Sequence, residues 1–272
     1  MDDFLSNPAV QGGLAPFVAA LVVALALQPL RLAGLSVVAA FATCAYFVSG
    51  FQLTPLTATR KILLLSIAAP LLGVLVDFAF KPTRVGAALL ALGAGAAALW
   101  AFWPVLAQRS ASEAWLLGGT AALALAFMVG FAQLQLAGDA VRAGSAALGL
   151  GLGTGVAAIF SATALYGLYG IALGAGAGGF LLPQMIRGRK SFAGATFTLS
   201  AMLTGGLVGA GAMILAQLPW YSLAVLAFVP VAARLPAPEK APLWLQAVIF
   251  SVYAFVVAGV ACLLAWPSPL QS

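Results

Sequence analysis

Histidine is absent from the 272 residues, and only six carboxylates and two cysteines are present. Intramembrane catalysis draws on acid-base groups or metal ligands, so these absences leave an enzyme as the class supported least. Asp2 and Asp3 are terminal, Glu113, Asp139 and Glu239 read as loop residues, and Asp77 alone falls inside an apolar run. No nucleophile-base pair, carboxylate pair or phosphate-binding Gly-Lys motif can be assembled from them, and no metal or cofactor is implied. Cys44 and Cys262 both lie inside apolar stretches without a CxxC partner, which excludes a disulfide framework or a metal knuckle and reads as small core residues. Charge of either sign is scarce, at 7% of residues against about a quarter in soluble domains. That scarcity excludes an ordinary soluble globule.

What fills the chain is apolar. Hydrophobic residues make up 64%, and the mean hydropathy is +1.11. Stretches of about 20 apolar residues, each long enough for a bilayer, follow one another with short gaps. The expected fold is all-α, a polytopic transmembrane helical bundle of about ten spans, in a single integral membrane domain. The expected spans are 14–30, 32–51, 62–80, 85–107 and 114–136 in a first half, then 145–165, 167–186, 193–217, 220–233 and 243–266 in a second. The ninth is short and ends near Pro230, so a re-entrant segment competes with a crossing there. Between Arg142 and Arg187 lie 44 uncharged residues, about right for two spans, with a turn expected near Tyr166 to Gly170. The start carries acid rather than a basic signal region, so the first apolar stretch is expected to be retained as a span.

A net charge of +6 and a pI near 9.8 would suggest nucleic acid in a soluble chain. Here the charges sort by loop, so the expected partner is the lipid bilayer and no nucleic acid. Alternate loops hold Arg31, Lys81, Arg84, Arg142, Arg187, Arg189, Lys190, Arg234 and Lys240 on one side, against Arg60, Lys61 and Arg109 on the other. Under the positive-inside rule this places both termini outside, in a bacterial inner (plasma) membrane. Trp100, Trp103, Trp115, Trp220, Trp244 and Trp266 all fall at span ends, as interfacial indoles do, five of them on the outer side.

Glycine is concentrated, with 17 of 30 between Gly144 and Gly211. Gly149 and Gly153 on span six, Gly170, Gly174 and Gly178 on span seven, and Gly205 and Gly209 on span eight recur at helical spacing. Such faces let helix backbones approach closely. They serve either packing inside the chain or contact with a membrane-protein partner or a second copy. The repeated Leu-Tyr-Gly at 165 to 170 lacks the pore-helix context of a potassium filter.

Polar groups within spans are few. Asp77 sits one turn from a span end with Lys81 at i+4, which suggests either an interfacial ion pair, tolerant of Asp77→Asn, or a gating carboxylate. Thr196, Ser200 and Thr204 form a hydroxyl stripe at i, i+4 and i+8, and Thr154 and Ser161 share a face of span six. Such hydroxyls bond back to their own helix or line a weakly polar cleft. Cutting near Asp139, into 1–138 and 139–272, gives two five-span halves of opposite orientation, the parity of an inverted repeat. Pro70 in span three and Gly205-Gly206 in span eight are then paired interruptions, and a polar site is expected where these spans face each other. The expected pathway residues are Ser66, Pro70, Asp77, Thr196, Ser200, Thr204, Gly205 and Gly206. Two functions fit: a small secondary transporter or permease for a neutral or weakly polar solute, or a non-catalytic accessory or assembly subunit of a larger membrane complex.

Overall fold

The computed structural model describes residues 7–51, 54–80, 83–238 and 240–266. All the secondary structure among the described residues is helical, and ten apolar segments follow in order: α1 (Val10–Leu30), α2 (Ala33–Ser49), α3 (Ala58–Ala79), α4 (Arg84–Leu106), α5 (Ala111–Gln135), α6 (Ala140–Phe160), α7 (Ala164–Arg187), α8 (Gly194–Leu215), α9 (Trp220–Ala232) and α10 (Leu243–Ala265). Eight of them are long and apolar enough to cross a membrane. The other two, α2 and α9, are shorter. At about 1.5 Å per residue, α9 falls well below the roughly 30 Å of a hydrocarbon core.

Helix starts follow the local chemistry. Thr57, Thr83 and Ser110 accept from the backbone N–H three residues on, as N-caps do, and Asp139 accepts from Val141 N–H at 3.2 Å. The Asp139 cap starts α6 at Ala140, earlier than the apolar run alone indicates. It also moves the α6–α7 turn to Ser161–Thr163, where Ala162 is left-handed with φ of 59°. The expected turn at Tyr166 to Gly170 is therefore corrected: those residues lie inside α7.

The close approaches set direction. On α3 and α8, Gly73 abuts Thr196 while Gly211 abuts Ile62, so the pair is antiparallel. Gly144 meets Leu181 and Gly167 meets Ile159, making α6 and α7 antiparallel, whereas Gly149 and Gly153 meet Ala254 and Ala258, making α6 and α10 parallel. The short α9 follows the same alternation. Leu218 N–H bonds to Ala212 O beside the end of α8, and at the far end Arg142 donates to the carbonyls of Ala233 and Leu235, both at 2.9 Å. Arg31, Arg84, Arg142, Arg187, Arg189, Lys190, Arg234 and Lys240 thus gather at one end of the bundle, the basic end. Arg60, Lys61 and Arg109 lie at the other.

The interior is built from small residues and the exterior from large apolar ones. Every residue of α8 from Gly194 to Ile214 is buried, with α2 to α7 and α9 around it. Outward on other helices stand Leu71, Leu92, Leu123 and Leu263, each about 70% exposed. Lipid is as apolar as leucine, so exposing Leu costs nothing there and close packing of Gly and Ala holds the helices together. The six tryptophans all retain substantial exposure at helix ends.

Candidate functional site

Buried polar groups line the α3–α8 seam, among them Ser66 on α3 and Thr196, Ser200 and Thr204 on α8. Gly194 N–H is held by Ala137 O, and with φ of 60° it turns the chain into α8. The residue before it, Ala193, has no side chain able to cap the helix. Asp77 on α3 supplies the cap instead: Oδ1 accepts from Ala195 N–H at 2.7 Å, and Oδ2 accepts from Thr196 N–H at 2.8 Å and from the Thr196 hydroxyl at 2.6 Å. A carboxylate placed there satisfies two orphan donors and faces the positive end of the helix dipole. Gly73 lets α3 come close enough, since a Cβ there would lie 2.6 Å from Thr196 Cα. The expected Asp77 partner, Lys81, lies outside the described residues. Both carboxylate oxygens are engaged by α8.

The opposite pole of α8 is also matched by charge. Arg109 donates to Ile214 O at 3.2 Å and pairs with Glu113 at 3.4 Å, so a cation meets the carbonyl end. Nearby, buried Lys61 donates to Trp100 O at 3.0 Å and lies 4.7 Å from the centre of the Trp100 ring. Pro104 explains that bond. It stands four residues after Trp100 and has no N–H to give its carbonyl, and the ammonium group takes that place. Sequence reasoning missed Lys61 and Arg109 as contributors, although the spacing of Pro104 behind Trp100 marks a free carbonyl.

The hydroxyls of the seam and of α6 divide. Ser200 bonds back to Thr196 O at 2.6 Å, Thr198 to Gly194 O at 2.7 Å while accepting from Gln133 at 2.9 Å, and Ser161 to Ala157 O at 2.9 Å. Ser36, Ser66, Thr154, Thr204 and Ser222 have buried hydroxyls with no hydrogen-bond partner among the described residues, and of these Ser66 stands on α3 and Thr204 on α8. The antiparallel register that sets Gly73 against Thr196 and Ile62 against Gly211 brings Ser66 level with Thr204. Pro70 removes the N–H that would otherwise bond Ser66 O, so beside them lies a carbonyl without its usual helix donor.

The interruptions expected at Pro70 and Gly205-Gly206 are corrected. Both helices run unbroken through these positions. A Cβ on Gly205 would lie 2.7 Å from Leu150, and one on Gly206 2.7 Å from Leu125, so these glycines are seats for leucines of α6 and α5. The other glycines marked by helical spacing in the sequence are likewise occupied within the chain. Gly149 and Gly153 receive α10, Gly170 and Gly174 receive α6, Gly178 faces Phe17 of α1, and Gly209 receives Leu223 of α9. Tyr166 and Tyr169 of the Leu-Tyr-Gly repeat bond to Thr59 at 3.0 Å and Ser49 at 2.9 Å, tying α7 to α3 and α2.

Two surface concavities lie at the ends of the bundle. One, of about 610 Å³, is bordered by Arg109, Ser161, Ala162, Thr163 and Gln217. The other, of about 530 Å³, lies at the basic end between Gln28, Arg31 and Lys190. No cluster of three or more potential metal ligands exists among the described residues. Compared with known proteins, the chain matches no family model and no curated sequence.

Proposed function

We propose that this membrane-spanning bundle is a small secondary transporter or permease for an uncharged or weakly polar solute, with its pathway along the α3–α8 seam. The observation that carries the reading is the buried pair Ser66 and Thr204, unpartnered among the described residues and level with each other beside the carbonyl that Pro70 deprives of its helix donor. An unsatisfied buried polar group costs about 1–3 kcal/mol. A solute hydroxyl or amide placed between them recovers that cost. No charged residue lies on either helix between Lys61 and Asp77 or from Gly194 to Leu215, which suits a neutral solute better than an ion. In this reading Asp77 and Thr196 latch the seam at the basic end, while Ser200, bonded back to its own helix, leaves Ser66 and Thr204 as the open pair. The basic end faces the cytoplasm of a bacterial inner membrane, with both termini outside.

One observation favours the second reading, a non-catalytic accessory or assembly subunit. Glycine contacts grip α8 on several sides at once, a construction suited to fixed packing. The test is solute flux in proteoliposomes under gradients of glycerol, urea and glycine, followed by stopped-flow light scattering. Transport predicts that at least one solute equilibrates faster than in protein-free vesicles, and that Ser66→Ala with Thr204→Val slows it while leaving the fold intact. Protein-free rates for all three, with isolation only at fixed stoichiometry with another membrane protein, favour the accessory reading.

A further inference from the structure

At the basic end, the α1–α2 turn and the α7–α8 loop form a groove of about 530 Å³ bordered by Gln28, Pro29, Arg31, Lys190, Ser191 and Phe192. Its walls are tied in place. Gln28 Oε1 accepts from Arg187, and Gln28 Nε2 donates to Ser191 Oγ at 3.3 Å. Ser191 N–H in turn donates to Oε1 of the buried Gln184 at 3.0 Å. Because its Oγ accepts from Gln28, the Ser191 hydroxyl proton remains to be donated. The Arg31 side chain makes no hydrogen bond or ion pair among the described residues, and its backbone stands in the left-handed region at φ of 59°. Among the described residues Lys190 meets only Asp139, at 3.3 Å, an acid that also serves Arg142 at 3.4 Å. The other described acid at this end, Asp77, is committed to α8. Among the described residues, the groove therefore carries an excess of cationic and neutral donors over acceptors.

Large apolar side chains flank it. Leu30, Ile186 and Phe192 are exposed beside the cations, at the level where helices meet the membrane surface. Basic pockets between helices on the cytoplasmic side match anionic headgroups, whose phosphate accepts several hydrogen bonds while acyl chains lie along the apolar flank.

We propose that this groove is a binding site for a phosphate-bearing anion, with Arg31, Lys190 and the Ser191 hydroxyl as its donors and an anionic phospholipid headgroup as its source. The inference is independent of the transport reading. It concerns a different part of the surface.

The test follows thermal unfolding of the full chain in uncharged detergent micelles, with added dioleoyl phosphatidylglycerol, dioleoyl phosphatidylcholine or inorganic phosphate. Phosphatidylglycerol is expected to raise the midpoint saturably and phosphatidylcholine to leave it unchanged. Arg31→Gln with Lys190→Gln should raise the half-saturating phosphatidylglycerol concentration about 25-fold, at about fivefold for each charge removed near the surface. Arg84→Gln with Arg234→Gln, which removes equal charge at the same end but outside the groove, should respond like the unaltered chain. Saturation by inorganic phosphate at the same sensitivity to Arg31 and Lys190 would keep the site and assign it to a soluble anion. An unchanged response of the groove variant, or an equal loss in the control variant, overturns the proposal. A monodisperse elution peak and an unshifted lipid-free midpoint verify that each variant folds, and Ser191→Ala supplies a charge-neutral variant expected to weaken the response a few-fold.

Discussion

Replacing Asp77 by Asn tests the cap on the central helix. The carboxylate accepts three hydrogen bonds from the first turn of α8, at 2.7, 2.8 and 2.6 Å, two of them from backbone N–H groups. Asparagine keeps one acceptor oxygen, loses the charge, and turns an NH2 group toward donors. Losing a cap costs about 1 kcal/mol, and a partly buried anion at a helix N-terminus contributes up to about 2 kcal/mol. Asp77→Asn should therefore destabilise the protein by about 2–3 kcal/mol, and Asp77→Ala by about 1 kcal/mol more, because two backbone donors lose their partner. A side chain that served only an exposed pair with Lys81 would cost less than about 1 kcal/mol to replace. This expected outcome is the opposite of the tolerance that a mere interfacial ion pair would give. The assay is unfolding of the purified chain in detergent, where a drop of about 4–12 °C in midpoint corresponds to this loss. A midpoint for Asp77→Asn within about 0.5 kcal/mol of the unaltered protein would refute the capping argument.

Gly170→Val should abolish accumulation of folded protein, because its Cβ would run into the backbone of Gly155, whereas Gly93→Ala, with nothing within 4 Å, should be neutral or gain up to about 1 kcal/mol. Size-exclusion yield compares the two, and a folded, monodisperse Gly170→Val would contradict the α6–α7 packing. Lys61→Met should cost about 1–3 kcal/mol by leaving Trp100 O unpaired, and much less in a Pro104→Ala background, where the backbone N–H restored by the substitution serves that carbonyl. Equal costs in both backgrounds, measured as a double-mutant cycle, would separate Lys61 from Pro104. Reporter fusions at Lys190 and Ser272 should signal cytoplasm and exterior respectively. A cytoplasmic signal at Ser272 removes one crossing, and the short α9 is the segment concerned.

Composition and charge spacing alone determined the membrane class, the order of the ten apolar segments and the gathering of cations on alternate loops. These are one-dimensional properties: a bilayer demands long apolar runs, and loop charge is read along the chain. The glycine clustering likewise announced close helix contacts, as the approach of Gly151 and Gly155 to α7 shows. Sequence could not say which helix fills each glycine, because helical spacing marks a face without naming its neighbour. It therefore took Gly205-Gly206 for a break where Leu150 and Leu125 are seated. Only the tertiary structure decided that α8 is the buried centre, that Asp77 looks across to its N-terminus, and that Lys61 answers Pro104. Each of the side-chain bonds described for Asp77 and Lys61 joins groups 39 or more residues apart in the chain. A polar group in an apolar interior takes whatever partner lies within about 3 Å, and that distance is set by how the helices pack.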